Sequence, residues 1–187
     1  MITYKNFKGS TYYLKVGPTK TGKLPYFVST DPFKWRNAEA MPEGYTFREN
    51  ANGLVSVGKI QPQHIDAADF AKIKPYLDAL EVAFKAEVKG RSIIIHTSHV
   101  GEDLEDSPLF SNRRALKAWI RETAAVYEAM LKFTRVDERQ GLYQTERKCF
   151  LGDMPWILIG DMAPLEQLAQ KYIPLLDDEE ALFEEIY

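Results

Sequence analysis

Three groups of residues in this chain have types and spacing that could carry chemistry. The first is Asp137 with Glu146-Arg147-Lys148, on either side of Gly141. An acid on one strand and Glu-x-Lys on its neighbour is how restriction-type nucleases hold magnesium and activate water. That chemistry needs two carboxylates on one face and a lysine to stabilise charge at phosphorus. Glu146 and Lys148 share a face of any extended strand, because side chains alternate with period two. Glu87-Val88-Lys89 makes the same short pattern, so the pattern is cheap. The alternation of Gln144, Glu146 and Lys148 equally describes a solvated sheet face with a cross-strand ion pair.

The second group is His96 and His99, followed by Glu102, Asp103, Glu105 and Asp106. Two histidines three positions apart at a strand end converge on one metal only if the backbone bends there. Strong zinc sites gather four closely spaced ligands, and Cys149, the single cysteine, is remote in sequence. The alternative is a polar strand end running into an acidic loop, so no metal or other cofactor is expected. The third group, Gly17-Pro18-Thr19-Lys20-Thr21-Gly22-Lys23-Leu24, has Walker A spacing without its context. Leu24 stands where Ser or Thr would hold magnesium, and Pro25-Tyr26-Phe27-Val28 reads as a strand where a helix N-terminus is required. No Gly-x-Ser-x-Gly elbow occurs. Cys149 reads as a small buried core thiol.

Binding content lies instead in the N-terminal hairpin. Tyr13 and Tyr26, with Tyr12 and Phe27, accompany Lys15, Lys20 and Lys23. Aromatics beside a cationic loop follow the logic of single-strand nucleic-acid binding. The same residues equally suit a protein-docking face or burial on both sides. The sequence pI of about 5.7 argues against a dedicated nucleic-acid protein.

A chain of 187 residues with 45% hydrophobic and 27% charged residues has enough apolar material for a core of its own. The start, Met1-Ile2-Thr3-Tyr4-Lys5, lacks a signal-peptide core, and no apolar run approaches a membrane span. A cytoplasmic location without membrane association is the expectation. The net charge of −3 is uneven: residues 1–36 carry seven bases and one acid, residues 151–187 nine acids and one base. A basic head and an acidic tail favour attraction within the fold or self-association, unless both are simply solvated.

The elements that must position these residues are mostly hairpins. Four strand pairs flank the turn at 17–23, Asn52-Gly53, Gly90 and Gly141. Phe33 and Trp35, in an irregular connection over 31–43, read as anchors to the core. Asp66 and Asp69 open a helix that Pro75 should kink or restart. Apolar residues from Leu116 through Tyr127 to Met130 and Leu131 recur at helical spacing, with Ser111 as cap. Pro164 opens another helix, with Leu165, Leu168, Ala169, Tyr172 and Ile173 inward, and Asp177 with Glu180 opens a short acidic one. Tyr76/Tyr127 and Gly90/Gly141 share an offset of 51, which allows a duplicated helix–hairpin unit.

Three stretches, Tyr12–Gly17 through Ser29, Met41–Tyr45 through Val55, and Glu146–Gly152, resemble a group of bacterial proteins to which no activity attaches. The resemblance implies a bacterial origin and no mechanism. The fold expected is α+β, antiparallel hairpins packed against three amphipathic helices. Residues 1–60 form a β-hairpin region and 61–187 an α+β region of one compact domain. The function expected is a non-catalytic interaction or regulatory module for a protein or nucleic-acid partner. The alternative is a magnesium-dependent, nuclease-like hydrolase using Asp137, Glu146 and Lys148. Binding requires Tyr13, Lys15 and Tyr26 exposed on one surface; hydrolysis requires Asp137 and Glu146 within ~4–5 Å.

Overall fold

The structure, a computed structural model, describes residues 1–17, 26–98, 115, 119, 126–149 and 155–184. It is a mixed α+β chain with antiparallel sheets. The chain divides into two compact units, Met1–Gln61 and Pro62–Tyr187.

The first unit contains β1 (Thr3–Lys5), β2 (Thr11–Val16), β3 (Tyr26–Ser29), β4 (Arg36–Asn37), β5 (Tyr45–Glu49) and β6 (Val55–Lys59). β3 lies along one edge of β2, while β1 and β4 lie end to end along the other. Alternation sorts β2 into two faces. Leu14 and Val16 point into the unit's core with Ala38 and Val55, and Tyr13 and Lys15 point the other way. β5 and β6 form the separate Asn52-Gly53 hairpin, with Gly53 at φ 79° and the Asn50 carboxamide accepting from the Asn52 and Leu54 amides. Side chains tie this hairpin to the β1–β2 turn. The Asn6 amide donates to the Gly53 carbonyl at 2.6 Å, and Glu49 accepts from the Phe7 amide and the Tyr4 hydroxyl, each at 2.9 Å.

The second unit begins with α1 (Ala67–Ala79), followed by β7 (Ala83–Lys89), β8 (Ser92–Ser98), β9 (Glu128–Asp137), β10 (Leu142–Lys148) and β11 (Trp156–Pro164). Next come α2 (Leu165–Tyr172), a 3-10 turn (Pro174–Asp177) and α3 (Glu179–Glu184). The five strands pair antiparallel in sequence order, β7-β8-β9-β10-β11. Gly90 (φ 60°) and Gly141 (φ 64°) supply the left-handed turn positions at two of the corners. One face of this meander carries Ile93, Ile95, Leu131, Phe133, Tyr143 and Ile159. The helices bury Ile73, Leu77, Leu165, Leu168, Ala169 and Tyr172 in the same cluster. Each such side chain contributes about 1.5–3 kcal/mol of transfer free energy, which makes this cluster the dominant stabilising element of the unit.

Several expected boundaries move. Asp66 caps α1 as expected, accepting from the Asp69 amide at 2.8 Å. The helix, however, runs unbroken through Pro75. Pro75 and Ala71 lie on its exposed side, where the carbonyl that proline leaves unpaired can bond water. Met130 and Leu131 belong to β9 rather than to a helix. A bulge between Ile95 and His96 gives β9 one extra residue, so both turn inward and imitate helical spacing. Ser111, Leu116 and most of that expected helix lie outside the described residues. Tyr76 is helical whereas Tyr127 directly precedes β9, so the tyrosine pair does not occupy equivalent positions. Trp156–Pro164 forms the edge strand β11, outside the four expected hairpins. Asp178, not Asp177, caps α3 through the Ala181 amide, because the 3-10 turn takes up one more residue. The Asp177 carboxylate instead accepts from the Glu81 and Val82 amides, fastening the end of α1 to the start of β7.

β11 bulges where three residues, Gly160 to Met162, stand opposite Gln144. Gly160 has φ 64°, and a Cβ there would overlap the buried Tyr172 hydroxyl. Gly160→Ala should therefore destabilise by more than about 3 kcal/mol, combining left-handed strain with overpacking. Urea unfolding would measure it, and a loss below ~1 kcal/mol would contradict the close approach.

Candidate functional site

The hydrolase residues are not gathered. Asp137 is opposite Leu142 and Glu146 is opposite Lys132, four positions further along β10. At about 3.3 Å per residue the two acids stand roughly 13 Å apart along the strand. The Asp137 carboxylate is engaged in its own turn, accepting from the Arg139 and Gln140 amides. Glu146 pairs across the strands with Lys132 at 2.9 Å and also accepts from Thr134. Lys132 and Lys148 sit over the Trp156 ring, at 4.5 and 5.9 Å from its centroid. This is the sheet-face ion pair that the alternating run of polar residues allowed.

His96 projects from β8 on this same face with a side chain only 12% exposed, and Glu87 lies 4.0 Å away. Burial holds its imidazole below the ordinary 6.5, opposed by the Glu87 charge. His99 and the acids after it lie outside the described residues. Among the described residues, no three His, Cys, Asp or Glu side chains gather as metal ligands. Cys149 is half-buried rather than a core thiol.

A compact polar cluster that no local spacing marks ties α1 to the sheet. Asp69, nearly fully buried, pairs with Lys72 at 2.9 Å and with Arg135 at 3.2 Å, and Arg135 also donates to the His64 carbonyl. Burial would raise the Asp69 carboxyl, but Lys72, the Tyr143 hydroxyl and Arg135 outweigh it and hold it below 3.8. The Tyr143 hydroxyl is buried beside Asp69 without a well-formed hydrogen bond. Burial first, then the Asp69 charge, pushes it up to about 12. Two cations on one buried carboxylate make this cluster a tie between α1 and the sheet.

The N-terminal face is rearranged most. Tyr26 opposes Val16 and Tyr13 opposes Ser29, so by alternation the two tyrosines point to opposite faces. Lys15 is 0% exposed. Its ammonium donates to the Pro32 carbonyl at 2.9 Å and to Asn37 Oδ1 at 2.7 Å, and lies 5.3 Å from the Tyr13 ring centroid. The expected surface of Tyr13, Lys15 and Tyr26 therefore does not form: Tyr26 faces the other way, and a crossover covers Lys15. β3 and β4 flank β2 on opposite edges and both run antiparallel to it, so residues 30–35 must cross the Lys15 face. Lys20 and Lys23 lie outside the described residues, as does most of the Walker-like stretch, which leads into the strand β3.

That crossover carries two exposed aromatics. Asp31 caps it, its carboxylate accepting from the Phe33 and Lys34 amides at 2.8 and 3.1 Å. These two bonds hold its pKa below 3.8. Phe33 is 94% exposed and Trp35 is 54% exposed, the reverse of core anchors. Trp35 adopts φ 69°, a left-handed conformation that costs a bulky residue about 1–3 kcal/mol, and its ring meets Phe27 edge-on at 5.8 Å. Lys34 and Arg36 are exposed beside them.

The chain matches no protein-family profile, no curated protein and no solved structure. No helix among the described residues is long and apolar enough to cross a membrane.

Two outcomes test this geometry. Because the His96 pKa is depressed in the fold, the unfolded chain binds more protons below pH 6.5, so stability falls as pH drops through that range. His96→Asn should flatten the pH dependence of unfolding between about 5 and 7; an unchanged slope would contradict the burial of the imidazole. Lys15→Met leaves the Pro32 and Asn37 acceptors unpaired at a cost of about 1–3 kcal/mol. Limited trypsin digestion should then cut faster after Lys34 and Arg36, and wild-type rates there would show that the crossover does not depend on Lys15.

Proposed function

We propose that this chain is a non-catalytic interaction module, of bacterial and cytoplasmic setting, that engages a protein or nucleic-acid partner through its N-terminal unit. The observation that carries this reading is the near-complete exposure of Phe33, next to an exposed Trp35, on a braced loop. Soluble chains expose single apolar side chains freely, but an exposed Phe two residues from an exposed Trp in a strained, capped loop calls for a purpose. Bracing the loop beforehand lowers the ordering cost that a flexible segment would incur on binding. The contact surface accordingly moves from the two faces of the hairpin to the crossover beside it, with Phe33, Lys34, Trp35 and Arg36 as its centre. Lys20 and Lys23 precede β3 in the sequence and are the further cations of this region. The dispersal of Asp137 and Glu146 gives the hydrolase reading no support.

The test is site-specific photocrosslinking in the source cells. A photoreactive phenylalanine analogue at position 33 should trap a discrete partner, while the same analogue at Ile60, also exposed, should not. Phe33→Ala in a tagged full-length chain should lose that partner and leave the thermal midpoint unchanged, as an exposed substitution does. Equal trapping from both positions, or none from position 33, would overturn the reading.

A further inference from the structure

We infer that the partner taken by the crossover is a single-stranded nucleic acid, an inference that rests on the interaction reading above and names its ligand class. Two observations carry it. The first is the order of side chains along the loop: Phe33, Lys34, Trp35 and Arg36 alternate aromatic and cation, and all four are exposed. A single strand alternates in the same way, with flat bases and phosphates in turn. Aromatic rings accept any base by stacking, and the cations follow the backbone. The second is where the charge lies. Residues 1–61 hold nine Lys and Arg against four Asp and Glu, a balance of +5, whereas residues 62–187 hold 15 against 23, a balance of −8. The overall acidity of the chain therefore belongs to the second unit, and the unit carrying the aromatics is itself cationic, as a polyanion requires. The buried Lys15 takes no part in this surface. Its contribution is to fix the carbonyl of Pro32, immediately before the first ring. The Asp31 carboxylate is turned to the loop amides, which moderates its repulsion of an incoming phosphate.

The experiment is an anisotropy titration of labelled oligo(dT) of about 12 nucleotides, within the usual site size, with the full chain. Saturable binding is expected at ~50 mM salt, weakening as salt rises. Phe33→Ala should weaken it about 5- to 150-fold, the range for loss of one stacked base. A Lys34→Ala, Arg36→Ala double variant should reduce the log–log salt slope by about 1.4, for two released phosphate contacts. Duplex DNA of the same length should bind more weakly, because its bases are not free to stack. Absence of oligonucleotide binding, or binding indifferent to Phe33→Ala, would overturn the inference. So would tighter binding to phosphatidylserine vesicles or to polyglutamate than to oligo(dT), which would assign the loop to a membrane surface or an acidic protein. If oligo(dT) fails while crosslinking from position 33 still traps a discrete protein, the nucleic-acid partner falls and the interaction module stands. If both fail, both fall.

Discussion

A positive charge removed from water governs the first unit. The Lys15 ammonium is fully buried, donates to a carbonyl and a carboxamide beside an aromatic ring, and interacts with the charge of the Asp31 carboxylate. An unpaired buried cation would be prohibitively costly, so the chain segments that supply these partners must stay in place for the unit to fold at all. Pro32 belongs to the crossover and Asn37 to β4, so one side chain fixes both the loop and the strand that receives it. The exposure of Phe33 follows from that arrangement. A crossover tied down at Pro32 and capped by Asp31 has its next side chains facing outward, and Trp35 must enter an unfavourable backbone region to bring the chain back to β2.

The second unit uses a different means to the same end. Its apolar cluster supplies the driving force, which is non-directional and does not by itself set where a helix sits. Direction comes from polar ties that reach across it. Arg135 joins β9 to α1 through Asp69, Asp177 joins the 3-10 turn to β7, and Arg147 donates to the Phe183 carbonyl near the end of α3. Each tie places a charge near backbone groups that would otherwise lack partners, where a charge-assisted bond is stronger than a neutral one.

The legible parts of the sequence were those in which local chemistry decides local structure. Gly53, Gly90 and Gly141 mark turns because their backbone angles suit glycine, and the alternation around them is unambiguous. Leu165 to Ile173 face inward as their spacing says. The illegible parts depend on what crosses over what. Lys15 sits in an alternating strand and reads as a solvent-facing lysine, and nothing within β2 reports that residues 30–35 pass above it. Phe33 and Trp35 read as core residues because aromatic side chains usually are. Met130 and Leu131 were misread because a bulge, which has no sequence signature there, turns two neighbours the same way. β11 was missed since its apolar run stops at Gly160, although pairing resumes beyond the bulge at Ala163. The Asp69–Arg135 pair joins residues 66 positions apart and could not have been found by spacing.

Among the described residues the meander also has two outer strands, β7 and β11, each paired along one side of its backbone. Such borders invite stray strands from other molecules, the first step of cross-β aggregation. Both borders are made unwelcoming. β7 places Lys85, Glu87 and Lys89 at every second position, so an intruding strand would have to accommodate charge of both signs. β11 is interrupted by its kink at Gly160, which leaves no long regular template to copy. A sheet assembled from successive hairpins is thereby kept from recruiting a sixth strand from a neighbour.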